Sequence, residues 1–283
     1  AAAFDTPSSQ AKEFIVGNMP KPANHRILLV NDDGIHAEGL ALLEAMAREI
    51  TDDVWVVAPD EEKSGASHSI SLSVPLRCRQ LGDRKYSVKG TPADCVMLAI
   101  WQLMADTPPT VVISGINHGE NLGDDIIYSG TTGAAMESAV LGYRSIAFSQ
   151  ARTLGKVPRL DAAKSYGPGI LEALLTCSWE AGTIVNVNFP DVDPDKVEGI
   201  QVTRLGRRRA GTFCPEPGAD GRNVPYYWVK VDYGSPALVP GTDVEAVKRH
   251  NAISITPLHV DMTSPGFMPT LNELFGANAM TAE

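Results

Sequence analysis

Short apolar runs recur along the chain at Ile27–Val30, Val54–Ala58, Val111–Ser114, Ser145–Phe148 and Ile184–Asn188. They are short and mostly apolar, as strands of a parallel sheet covered on both faces are. Between the first two, Ala37–Ile50 places Leu40, Leu43, Met46, Ala47 and Ile50 three and four residues apart, the spacing of a helix with one apolar face. A β-α-β unit is therefore complete by Ala58. Thr91-Pro92-Ala93-Asp94 opens a second helix, with Thr91 as N-cap, Pro92 at the first helical position and Asp94 in the first turn. Val96, Met97, Ile100, Trp101 and Met104 supply its expected apolar face. A third helix follows Ser129-Gly130-Thr131-Thr132, and a fourth spans Ala162–Cys177. Alternating strands and helices of this kind predict an α/β fold, Rossmann-like, with a mostly parallel sheet and helices on both faces. Ser69–Val74 and Tyr86–Val88 read as extended segments of a smaller antiparallel excursion.

After residue 203 the rhythm changes. Arg, Gly, Pro and aromatic residues dominate Arg204–Gly241, and Tyr226–Val231 reads as a strand inside a long excursion, a projecting β-hairpin arm. Apolar surface on such an arm is covered either by a partner subunit or by folding back as a flap. The division expected is a tail over 1–25, disordered or expression-derived, an α/β core over 26–203, the arm over 204–241, and a C-terminal helix, strand and tail over 242–283. The tail lacks the basic start and long apolar stretch of a signal peptide. The longest apolar stretch, Val96–Ala105, is far shorter than the ~20 residues of a membrane span, so no membrane partner is expected. Neither an internal repeat nor a low-complexity tract appears beyond the tail.

Composition narrows the chemistry. Lys plus Arg number 24 against 34 Asp plus Glu, a net charge of −10, which argues against a surface for nucleic-acid polymers. An anionic substrate must then be held locally. The four cysteines (78, 95, 177 and 214) form no C-x-x-C pair; reduced thiols in a cytoplasmic protein fit better than a disulfide scaffold.

The candidate chemistry sits where strands end. Asn31-Asp32-Asp33-Gly34 follows the first strand, at the crevice outside the carboxyl end of a parallel sheet. Adjacent carboxylates repel, so Asp32 and Asp33 point to either a divalent cation or an acid/base pair sharing a proton. Ser64, beside Gly65 in the loop after the second strand, offers a hydroxyl oxygen. Asn117 and Asn121, in the glycine-containing loop after Val111–Ser114, offer amide oxygens; that loop does not match G-x-G-x-x-G, and no P-loop signature is present. Ser129-Gly130-Thr131-Thr132 joins hydroxyls to the free N–H groups of a helix start, a place for a phosphate or an ordinary cap. Oxygen ligands without a thiolate or histidine cluster suit Mg²⁺, Mn²⁺ or Ca²⁺ rather than structural zinc. Asp124-Asp125 reads as loop-shaping rather than a second metal site. His68 and His118 read as structural, Arg204 and Arg207-Arg208-Arg209 as an exposed coat or a steering patch, and Trp101 with its methionine neighbours as core.

Together these segments resemble the SurE family, the survival-protein family of metal-dependent nucleotidases. The resemblance rests on Arg26–Gly34, on Val57-Ala-Pro-Asp60 followed by Ser64-Gly-Ala-Ser67, and on Gly90-Thr-Pro-Ala-Asp-Cys95, Ser114-Gly-Ile-Asn117 and Asn121–Thr131, in the family's order. It covers most of Arg26–Pro257. The resemblance implies one divalent metal ion per subunit (Mg, Mn or Ca) held by Asp32, Asp33, Ser64 and Asn117, and a phosphate held by Ser129, Gly130 and Thr131 with Asn121 nearby. It implies hydrolysis of nucleoside monophosphates at the 5′ or 3′ position. The residues themselves add the expected mechanism, attack by metal-activated water with Asp32 or Asp33 as proton acceptor, and short polyphosphate as a further expected substrate. The resemblance also implies a homodimer or homotetramer joined through the arm. The rival reading is a non-catalytic nucleotide-binding regulatory protein on the same fold.

Overall fold

The computed structural model describes residues 25–153, 155–156, 159–207, 213–231 and 237–276. Residues 1–24 of the expected tail, Arg208 and Arg209 of the arginine run, and the last seven residues lie outside these.

Strand β1 (Ile27–Val30) is fully buried along its length. It pairs in parallel with β2 (Val54–Pro59) on one side and β5 (Val111–His118) on the other. Outward from β5 come β6 (Arg144–Gln150) and β7 (Thr183–Phe189), both parallel. Beyond β2 lie β4 (Lys85–Lys89), parallel, and β3 (Arg77–Gly82), antiparallel. The far edge is completed by β11 (Ile253–His259), antiparallel to β7, and β8 (Ile200–Val202). Among the described residues the sheet has nine strands in the order β3-β4-β2-β1-β5-β6-β7-β11-β8. The segment after the arm thus threads a strand into the same sheet as the core.

Helices cover both faces. Helix α1 (Glu38–Ile50) and α4 (Asp161–Thr176) bury Leu40, Leu43, Met46, Ile170 and Leu171 against one face of β1, β2 and β5–β7. Each such side chain contributes roughly 1.5–3 kcal/mol on leaving water. Helices α2 (Pro92–Leu98) and α3 (Gly130–Val140) pack on the other face around Leu28, Val57 and Val112. Thr91 caps α2 as expected: its hydroxyl accepts from Asp94 N while the Asp94 carboxylate accepts from Thr91 N, a reciprocal capping box. Helix α5 (Asp243–Lys248) precedes β11, and α6 (Met268–Phe275) lies beyond it.

Two expectations need correcting. Ser69–Val74 forms no strand. The partner of Tyr86–Val88 is β3, and the pair extends the main sheet instead of standing apart from it. Trp101 is 62% exposed. Helix α2 runs into a π-turn at Ala99–Leu103; the wider turn keeps Ile100 and Met104 buried but rotates Trp101 off the buried stripe.

The arm is a two-stranded antiparallel hairpin, β9 (Phe213–Ala219) with β10 (Pro225–Val231), separate from the sheet. Its Tyr227 and Trp228 are 69% and 71% exposed. Among the described residues, no helix is long and apolar enough to cross a membrane.

Candidate active site

The loops at the carboxyl ends of β1, β2, β5 and β6 and the N-terminus of α3 enclose one open cavity of about 760 Å³. Asp32, Asp33, Ser64, Asn117, Asn121 and Ser129 all line it. Gly34 makes the turn after the two aspartates with φ +98°, a conformation glycine takes without a Cβ penalty. The chain then returns to the sheet through Ile35 N–H, which donates to Pro59 O at 2.8 Å. Asp32 O in turn accepts from Lys63 N at 2.7 Å, tying the Ser64 loop to the β1 turn.

Asp32 is buried. Its Oδ1 accepts a 2.5 Å hydrogen bond from Thr131 Oγ1, and Thr131 also offers it a backbone N–H. Gly130 fits closely, because a Cβ there would lie 2.8 Å from Asp32 Cβ. Burial, and after it the charge of Asp33, push Asp32 up to about 7. Asp33 is half-buried; burial raises its pKa too, opposed chiefly by His118 N–H, which donates to Oδ2 at 3.2 Å.

The neutral oxygens are positioned by their own partners. Ser64 Oγ donates to Glu62 Oε1 at 2.7 Å, leaving its lone pairs as acceptors. Asn117 Nδ2 donates to Gly119 O at 2.9 Å, which fixes the amide with Oδ1 as the remaining acceptor. Ser129 caps α3, its hydroxyl accepting from Thr132 N at 3.0 Å. The buried Asn121 is held on three sides: its N–H donates to Asn188 Oδ1, its Nδ2 to Ser149 Oγ, and its carbonyl accepts from Asn186 and Asn188.

This donor set fits a hard divalent ion. Two adjacent carboxylates, one pushed well above its ordinary range by burial and like charge, are relieved by a cation. A hydroxyl and an amide oxygen face the same space. Among the described residues no three His, Cys, Asp or Glu side chains converge on a point, so the set is two carboxylates plus neutral oxygens.

Every expected site residue except Gly130 and Thr131 lines the cavity directly. These two lie just behind it, against Asp32. Sequence reading missed Glu62, which holds Ser64, and the asparagine pair behind Asn121. The signal for the pair was present: Asn186 and Asn188 alternate on one side of an otherwise apolar strand. It also missed the arm's contribution, since Phe213, Val229 and Val231 line the cavity and Phe213 meets Tyr128 edge-on with ring centroids 4.9 Å apart. His118 lines the cavity, and among the described residues its buried Nε2 has no hydrogen-bond partner. His68 lies elsewhere and pairs with Glu137 at 2.7 Å. Asp124 pairs with Arg207 at 3.2 Å.

Comparison with known proteins decides what scaffold this is. Residues 27–212 match the family model for survival protein SurE. The chain belongs to the SurE family. A SurE 5′-nucleotidase of Parvibaculum lavamentivorans is 46% identical over 256 residues, covering 90% of this chain and 92% of that one. A SurE 5′-nucleotidase of Methylocella silvestris is 48% identical over 250 residues, covering 87% and 96%. The crystal structure of SurE from Aquifex aeolicus superposes with a TM-score of 0.75 at 36% identity, covering 88% of this chain and 98% of that one. The SurE match spans β1 through β8, so every loop that carries an expected site residue lies inside it.

Proposed function

We propose that the chain is a nucleotidase, a phosphoric monoester hydrolase that releases phosphate from nucleoside monophosphates at this cavity. The observation that carries the reading is the convergence of Asp32, Asp33, Ser64 and Asn117 beside the N-terminus of α3, in a chain closely similar to curated 5′-nucleotidases. SurE nucleotidases are metal-dependent in general, and here Asp32, Asp33, Ser64 and Asn117 are the residues suited to hold one Mg²⁺, Mn²⁺ or Ca²⁺. Such an ion, when bound, polarises a phosphate and acidifies water.

The rest falls to the chain. Thr131 spends its hydroxyl and amide on Asp32 and so orients that carboxylate, rather than serving primarily as a phosphate ligand. Ser129 and Gly130 present the first turn of α3, whose N–H groups and dipole favour the phosphate's charge. Asn121, fixed by Asn186, Asn188 and Ser149, is available to the phosphate at the cavity wall. Asp32 or Asp33 accepts the proton of the attacking water, and no covalent intermediate is required. Short polyphosphate is a further substrate, and the exposed aromatic face of the arm joins subunits into a dimer or tetramer.

Protein stripped with chelator and resupplied with Mn²⁺ or Mg²⁺ should release phosphate from a panel of nucleoside monophosphates, and Asp32→Asn should abolish release. Nucleotide binding without phosphate release under any divalent ion would instead make the protein a regulatory binder. Trapping a phosphorylated aspartate would overturn direct attack by water.

A further inference from the structure

Among the described residues the cavity lining is poor in positive charge. It carries the carboxylates of Asp32, Asp33 and Glu62, with Glu120 paired to Lys248, and its single Arg or Lys among the described residues is Arg152. A phosphate dianion entering this space meets strong repulsion, and a bound divalent ion on the paired aspartates offsets only part of it.

Arg152 follows β6, at the carboxyl edge of the sheet where ligands of open α/β folds bind. Its backbone is firmly placed. The buried Gln150 two residues earlier donates to Pro190 O at 2.9 Å and accepts from Ala163 N at 3.1 Å. Ala151 N–H donates to Phe189 O at 2.8 Å, and Arg152 N–H donates to Glu120 Oε2 at 3.1 Å. Glu120 is meanwhile neutralised by Lys248, so it does not draw on the Arg152 guanidinium.

The side chain itself is exposed, and among the described residues no carboxylate forms an ion pair with it. It runs over Gly119, where an added Cβ would lie 3.6 Å from Nε and 3.9 Å from Asn117 Nδ2. The guanidinium therefore stands beside the Asn117–Gly119 loop, and its charge is felt at Asp33. This is the Asp33 flank of the site, whereas Gly130 and Thr131 sit against Asp32. A planar fork of N–H donors matches phosphate oxygens in pairs, which an ammonium does not.

We propose that Arg152 is a substrate-binding residue: its guanidinium grips the phosphate from the Asp33 side, opposite the N-terminus of α3. The assignment rests on the nucleotidase reading for the identity of the anion, and its test is separable from that reading. Inorganic phosphate is titrated calorimetrically into wild type, Arg152→Gln and Arg152→Lys, each with and without saturating Mn²⁺. Arg152→Gln should weaken phosphate binding at least tenfold, with Arg152→Lys between it and wild type, while Mn²⁺ affinity measured alone is undiminished. KM for a nucleoside monophosphate should rise in the same order.

Phosphate affinity within twofold of wild type in Arg152→Gln, no phosphate binding to wild type under either condition, or a parallel loss of Mn²⁺ affinity would each overturn the assignment. Arg152-dependent phosphate binding in a protein that hydrolyses no nucleotide would retain this anion site and refute the nucleotidase reading instead.

Discussion

Gly130→Ala tests whether the N-terminus of α3 and Asp32 form one unit. A methyl at this position would stand 2.8 Å from Asp32 Cβ, 2.9 Å from Oδ2 and 3.2 Å from Cγ. Carbon atoms prefer about 3.5–4.0 Å, so the contact is short by about 0.7 Å. Asp32 cannot yield easily, being buried and tied to Thr131 Oγ1 at 2.5 Å. Overpacking of this kind costs roughly 1–3 kcal/mol. The helix start is displaced from Asp32, and a misplacement near 1 Å at a reacting centre costs about 100-fold. The variant should therefore unfold a few degrees lower, retain its far-UV circular dichroism, and lose about two orders of magnitude in kcat/KM with Mn²⁺. Gly266→Ala is the control, since nothing lies within 4 Å of a Cβ there. Gly130→Ala with kcat/KM within threefold of wild type would refute the argument that Asp32 and the α3 terminus are held in fixed register.

Asp32 also predicts a pH dependence in the metal-free protein. Its folded carboxyl titrates at about 7 against roughly 3.9 unfolded, so between those values the folded state holds a proton that the unfolded state has released. Stability then falls as pH rises through that window, by up to about 4 kcal/mol at roughly 1.4 kcal/mol per pH unit. Urea midpoints of Asp32→Asn should gain on wild type across the same interval; parallel profiles would contradict this. In native protein Ellman's reagent should reach the exposed Cys78 and Cys177, while the buried Cys95, its thiol pushed up by burial, reacts only on unfolding. Four thiols reacting at once in native protein would place Cys95 wrongly. Replacing Tyr227 and Trp228 with Asp removes the arm's most exposed aromatic surface and should lower the mass found by light scattering, whereas an unchanged assembly would assign the interface elsewhere.

The sheet was legible because its central strands are buried on both faces. Such strands, β1 and β5 among them, advertise themselves as unbroken apolar runs, and the loops after them carry the chemistry by the geometry of parallel sheets. That Asp32, Asp33, Ser64 and Asn117 meet at one cavity could be read for that reason. Trp101 could not, because a π-turn changes the helical phase without leaving a mark in the spacing of apolar residues. Nor could the pairing of β3 with β4, since β3 (Arg77–Gly82) is exposed throughout and carries no alternating face. Glu62 and Arg152 were missed because each looks like an ordinary exposed charge along the chain. Their position in the cavity comes from tertiary contacts of their loops, the Lys63 N–H bond to Asp32 O beside the one and the Gln150 anchor beside the other.

Asp32 and Arg152 show opposite uses of the same scaffold. Asp32 is driven into the interior, where its charge is costly, and the N–H and hydroxyl of Thr131 compensate that cost only in part, since burial and Asp33 still hold its pKa near 7. A site left in this state favours whatever cation relieves it. Arg152 remains exposed, its backbone fixed and its guanidinium without a carboxylate partner among the described residues, which is the condition of a charge available to an incoming anion. One group therefore awaits positive charge and the other negative. The two lie on loops from β1 and β6, separated in the sheet only by β5. A ligand that satisfies both at once must bring an anion to a bound cation, and a phosphate monoester meeting a divalent ion at Asp32 and Asp33 does so.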